Sequence, residues 1–104
     1  MTKISYAEKD GKISLYVSGH ANYNEDGKDI VCAAVSALTQ AFLLAISEHH
    51  ALDRVDIRKG IFRVDVSNCG ERESGMFATT VSGLKAIAEV YPDFVKVVGE
   101  KFKK

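Results

Sequence analysis

His20 closes an alternating segment and Cys32 opens a helical one, in the runs Gly19-His20-Ala21 and Gly27-Lys28-Asp29-Ile30-Val31-Cys32-Ala33-Ala34-Val35-Ser36. A thiol in the first turn of a helix lies among amides that have no partner inside the helix, at the positive end of the dipole. That position stabilises a thiolate. A neutral imidazole anchored just upstream can take the thiol proton, and the resulting sulfur nucleophile attacks a carbonyl carbon. The spacing alone does not establish contact between the two side chains; the fold decides it.

Neighbouring residues allow two readings each. Asp29 is a good N-cap, worth about 1 kcal/mol; its carboxylate could instead orient His20 as the third member of a triad. Ser36 falls one turn beyond Cys32 on the same helix face, as a small packing residue or as a hydroxyl donor to the site. Cys32 itself could be an inert cysteine in an apolar helix. Cys69, beside Gly70 in a polar loop, could serve as a resolving thiol, although there is no Cys-x-x-Cys pair. None of the usual metal-ligand spacings occurs among His20, Cys32, Cys69, His49 and His50, so no metal is expected.

The elements that must position these residues follow from periodicity. Ile4-Ser5-Tyr6-Ala7 and Ile13-Ser14-Leu15-Tyr16-Val17 flank an Asp10-Gly11 turn signal, which predicts an opening hairpin. Ala21 to Lys28 is polar and turn-rich, an exposed connection in which Ala21, Asn22, Tyr23 and Gly27 could gate a substrate. From Ile30 to about His50 there is neither Gly nor Pro, and Ala and Leu abound, so one long helix is expected with His49 and His50 in its last turn. Its apolar residues run nearly all round, which requires burial against a sheet and against something more, such as a second subunit.

Arg54 to Lys59 and Ile61 to Val66 predict a second hairpin turning at Gly60, with Phe62, Val64 and Val66 on the buried parity. Ser67 to Arg72 reads as a loop. Phe77, Val81, Leu84, Ala88 and Tyr91 then recur at helical spacing down to Pro92, and Gly83 within them suggests a close helix contact. Phe94-Val95-Lys96-Val97-Val98 could be a short strand or a short helix, and its β-branched residues favour strand. The fold class is therefore α+β: a mostly antiparallel sheet from two hairpins packed with two helices, in the order β-β-α-β-β-α-(β).

A chain of 104 residues with 46% hydrophobic residues and one proline suits one compact domain. Fourteen basic residues balance fourteen acidic ones, so no overall field favours nucleic acid or an anionic membrane, and neither partner is expected. No run approaches membrane-span length and no signal-peptide pattern opens the chain, which predicts a cytoplasmic protein.

Gly19-His20-Ala21, a short polar loop, and Asp29-Ile30-Val31-Cys32-Ala33-Ala34-Val35-Ser36-Ala37-Leu38 together resemble the signature of the bacterial ribosomal-processing cysteine proteases, the Prp or YsxB-like family. Chain length and the late Tyr91-Pro92-Asp93 segment are similar as well. The resemblance implies a catalytic dyad of His20 and Cys32, with the signature's aspartate and serine on Asp29 and Ser36. It further implies a homodimer whose substrate is the short N-terminal extension of large-subunit ribosomal protein twenty-seven; thiolate chemistry of this kind needs no cofactor. The rival reading is a non-enzymatic, ribosome-associated dimeric binding module in which Cys32 is buried.

Overall fold

The computed structural model describes residues 1–21, 23–24 and 29–101. Along the chain these form β1 (Thr2–Lys9), β2 (Lys12–Ser18), α1 (Ile30–Ser47), β3 (Arg54–Arg58), β4 (Ile61–Val66), α2 (Glu71–Val90) and β5 (Val95–Lys101). The α+β order expected from the sequence is present, and the last segment is a strand.

Asp10 and Gly11 both have positive φ, 50° and 78°, the pair of left-handed residues that a two-residue type I′ turn demands. Their turn sets Lys9 opposite Lys12 and so fixes the β1–β2 register. The sheet runs β3-β4-β2-β1-β5. All neighbours are antiparallel except β1 and β5, which pair in parallel from Thr2 opposite Val95 to Glu8 opposite Lys101. That parallel edge was not legible beforehand, because its two strands lie at opposite ends of the chain. Parallel neighbours require a long crossover, and here the last leg back to β1 passes through α2.

Period-two alternation makes one face of the sheet apolar. Ile4, Ile13, Leu15, Val17, Phe62, Val64, Val66 and Val95 point inward and are all buried. Val31, Val35, Phe42 and Ile46 of α1 and Phe77, Val81 and Leu84 of α2 complete the same core. The other face is polar: Ser14 donates to Asp65 at 2.6 Å, and Arg63 pairs with Asp65 at 3.2 Å while lying over the Tyr16 ring. Two layers result, helices on one side and solvent on the other. Gly83 lets the helices approach closely, since a methyl group there would stand 2.9 Å from Cδ1 of Leu38.

Three expectations change. α1 ends at Ser47 with Glu48 as its C-cap, so His49 and His50 lie beyond the helix and do not offset its dipole. Instead, Nε2 of His50 donates to the Ser67 carbonyl at 2.9 Å and Nδ1 faces Glu73 at 3.8 Å, tying the α1–β3 connection to the start of α2. That helix begins at Glu71, earlier than the loop reading of Ser67 to Arg72 allowed, because the Gly70 amide donates to Glu73 at 2.8 Å and closes the first turn.

The third change concerns α1 itself. It holds no charged residue over its 18 positions and is long and apolar enough, by length and composition, to cross a membrane. The expectation that no run approaches span length was too strict. Four of its side chains nevertheless belong to the domain core, which is the behaviour of a core helix. Its outer side still exposes apolar surface, with Ile30 at 57% and Leu44 at 64% of full accessibility.

Candidate functional site

Asp29 builds the start of α1. Its backbone is extended (φ −82°, ψ 99°), and Oδ1 accepts the Cys32 amide at 2.9 Å. Oδ2 accepts the Tyr23 amide at 3.1 Å, so one carboxylate joins the helix to the preceding loop. Burial opposes ionisation of Asp29, but the amides of Cys32, Tyr23, Asn24 and Val31 outweigh it and hold the carboxyl below the ordinary aspartate range. The capping role of Asp29 is therefore present, while no described contact joins Asp29 to His20. An oxyanion hole built from the first amides of α1 would need the Cys32 amide as a donor. The Cys32 amide is already occupied by Asp29 here.

His20 follows the end of β2. Gly19, at φ 85°, donates its amide to the Gly60 carbonyl at 2.9 Å, anchoring the strand end to the β3–β4 turn. That anchor brings His20 to a cavity of about 140 Å³, one wall of which is α1 and the other the β3–β4 hairpin. Cys32 lines the same cavity. Thus the structure brings together the two residues that the sequence singled out. Cys32 is half-buried, neither sealed in the core nor fully open.

Ser36 lies on the exposed side of α1 and lines this cavity too, which removes the reading of Ser36 as a core packing residue. Thr39 and Gln40 continue the same wall. The Thr39 hydroxyl is satisfied within the helix, donating to the carbonyls of Val35 at 3.0 Å and Ser36 at 3.2 Å. Gln40 could have been found from the sequence, because it lies one turn past Ser36 and two past Cys32. From the opposite wall come Ile57, Arg58 and Gly60. No local signal announced these three, since only the tertiary fold lays the second hairpin beside α1. Arg58 is held by Asp56 through two bonds of 3.0 and 3.1 Å.

Of the residues proposed to gate a substrate, Ala21 is buried and Tyr23 is partly exposed, while Asn22 and Gly27 lie outside the described residues. The Tyr23 ring packs edge-on against Tyr91 and Phe94, with centroids 5.4 and 5.2 Å away. Tyr23 is thereby pinned to the α2–β5 junction.

Cys69 sits elsewhere. Its amide donates to the Gly11 carbonyl at 2.8 Å, beside the β1–β2 turn, and its sulfur lies 3.8 Å from the carbonyls of Val66 and Ser67. Burial, followed by the nearby carboxylates of Glu73, Glu8 and Asp53, pushes this thiol above its ordinary range. Cys32 shares its cavity with Val17, Gly19 and His20 at the end of β2, whereas Cys69 bonds Gly11 just before its start; a strand of this length spans roughly 20 Å at about 3.3 Å per residue, which is far beyond disulfide reach.

The family model for the cysteine protease Prp matches residues 1–96. The chain belongs to the Prp cysteine protease family. Among solved structures, it is similar to the essential ribosomal processing protease Prp from S. aureus in complex with a covalently linked product peptide, at 25% identity and a TM-score of 0.86. That similarity covers 96% of this chain and all of the other. It is also similar to SMU.848 from Streptococcus mutans, at 28% identity and a TM-score of 0.77, with 98% of this chain and 96% of that one covered. A third structure, a hypothetical protein from Staphylococcus aureus, shares the fold at 18% identity and a TM-score of 0.72, over 96% of this chain and all of that one. No curated protein matches the chain. Family membership makes this protein a cysteine protease.

Proposed function

We propose that this protease removes the short N-terminal extension of bacterial large-subunit ribosomal protein twenty-seven, with Cys32 as nucleophile and His20 as its base. The observation that carries the reading is that His20 and Cys32 line one cavity at the start of α1 in a chain of the Prp family.

In this mechanism the neutral His20 imidazole takes the Cys32 proton, and the thiolate adds to the scissile carbonyl carbon. The tetrahedral intermediate collapses to a thioester as His20 returns the proton to the departing amine. Water then attacks the thioester with His20 again as base, releasing the acid and restoring the thiol. Ser36 and Gln40 contribute polar groups along the α1 wall of the cavity to an extended peptide. Asp29 supports the site by holding the first turn of α1 rather than by orienting the histidine. Oxyanion stabilisation by the Cys32 amide requires the Asp29 carboxylate to yield that donor when substrate binds. Because Tyr23 shares the same carboxylate, a shift of Tyr23 on peptide binding would be felt at the nucleophile's backbone.

The working unit is a homodimer. An uncharged helix with Ile30 and Leu44 largely exposed is poorly suited to face water in isolation, and a second copy covering that side would bury it.

Incubating the protein with peptides spanning the start of ribosomal protein twenty-seven, followed by mass spectrometry, tests the activity and finds the bond. Cys32→Ala and His20→Ala should each lower the rate by at least about a thousandfold if they act as a dyad. Full cleavage by Cys32→Ala would rule out the thiolate mechanism.

A further inference from the structure

Gly60 turns the β3–β4 hairpin at φ 76°, and its bare α-carbon lies directly against the ring of His20. A methyl group added to Gly60 would stand 3.1 Å from Nε2, 3.6 Å from Cε1 and 3.8 Å from Cδ2 of His20. The first separation is well inside the roughly 3.5–4.0 Å at which carbon-sized atoms rest, so the ring would have to shift. The same glycine also holds the histidine's segment by backbone, through its carbonyl and the Gly19 amide. His20 is exposed, and an exposed side chain otherwise samples its rotamers freely. A hard wall on one side of the ring narrows that sampling.

We infer that Gly60 is a positioning residue for His20: its lack of a side chain lets the imidazole settle against the β3–β4 turn, on the wall of the cavity that Cys32 lines. The inference rests on the assignment of His20 as the base. It goes beyond the demands of the turn, because a left-handed residue can also be asparagine, whereas any Cβ here would push the His20 ring back by a few tenths of an ångström. Asparagine therefore separates the two demands. Gly11 supplies the control, with almost the same φ of 78° and an added Cβ no nearer than 3.4 Å to the Cys69 carbonyl oxygen.

The first measurement uses the unmodified protein. Nuclear Overhauser contacts between the Gly60 α-protons and the His20 ring protons are expected, and their absence overturns the inference. This reading holds even if a variant does not fold. The second measurement compares Gly60→Asn with Gly11→Asn. For Gly60→Asn, kcat on the ribosomal-protein peptide should fall by about tenfold or more with KM within about twofold, the signature of a displaced catalytic group. Gly11→Asn should keep both parameters within about twofold of the unmodified enzyme. A folded Gly60→Asn whose kcat equals that of Gly11→Asn overturns the inference. Should the unmodified protein cleave no peptide, the assigned function fails on its own and the His20 ring resonances decide the question. Their displacement in Gly60→Asn but not in Gly11→Asn supports the positioning role, and unchanged resonances overturn it.

Discussion

The Cys32 amide and the Asp29 carboxylate form a 2.9 Å hydrogen bond that makes the aspartate the keystone of the α1 start, because its second oxygen holds Tyr23. The nucleophile's backbone and the preceding loop therefore share one anion. This arrangement explains why an aspartate beside a candidate catalytic pair is structural here, although the residue types alone also fit a triad.

Removing that anion should loosen both partners. Asp29→Ala is expected to lower stability by about 1 kcal/mol, the usual worth of a cap, which corresponds to about 4–8 °C in the melting temperature of a domain of about this size. Asp29→Asn keeps an acceptor and should recover most of the loss. Thermal unfolding of the three proteins near neutral pH checks the order.

Acid stability should depend on Glu73. The Gly70 amide, working against burial and aided by His50, holds the Glu73 carboxyl below the ordinary glutamate range. A carboxyl that binds its proton less tightly when folded than when unfolded stabilises the fold above its ordinary range, and the contribution disappears as the pH falls through the folded value. Glu73→Gln should therefore lose stability at pH 7 and show a shallower acid limb than the unmodified protein. Urea unfolding between pH 7 and pH 3 reads both, and parallel curves for the two proteins would contradict the assignment.

The two thiols should be distinguishable. Burial and neighbouring carboxylates push Cys69 above its ordinary range, so at pH 8 it should react with iodoacetamide far more slowly than a free thiol and become labelled readily only in denaturant. Cys32 lines an open cavity and should be the residue alkylated in the folded protein, with loss of cleavage. Peptide mapping after timed quenching identifies the sites. Peroxide should not join the pair within a folded chain, given their positions at opposite ends of β2.

The exposed side of α1 should carry the dimer contact. Leu44 is 64% exposed on a helix without charge, so Leu44→Asp puts a carboxylate on that side while leaving the core untouched. Sedimentation is expected to shift from dimer to monomer, with the melting temperature of the monomer nearly preserved. A dimer of unchanged strength would place the contact elsewhere.

Much of the architecture was legible because it is encoded by neighbours in the chain. The Asp10-Gly11 pair needs only its own backbone preference to make a turn, and the Phe62, Val64, Val66 alternation needs only the pleat to choose a buried face. Helix ends were less legible. α1 stops at Ser47 because His50 finds the Ser67 carbonyl and the Glu73 carboxylate, contacts with the far hairpin and with α2 that helical periodicity does not contain.

The residue types and spacing of this chain determined by themselves where a thiol could be activated, which histidine stood upstream of it, and which strands and helices would carry them. Those are properties of short range, set by capping, turn preference and hydrophobic period. Only the tertiary structure decided that β5 runs parallel to β1, that Asp29 spends its carboxylate on Tyr23 and Cys32, that Cys69 stands at the other end of β2, and that Gly60 backs the ring of His20. Each of these joins residues through packing across the sheet or between layers, and such contacts exist only once distant segments have met.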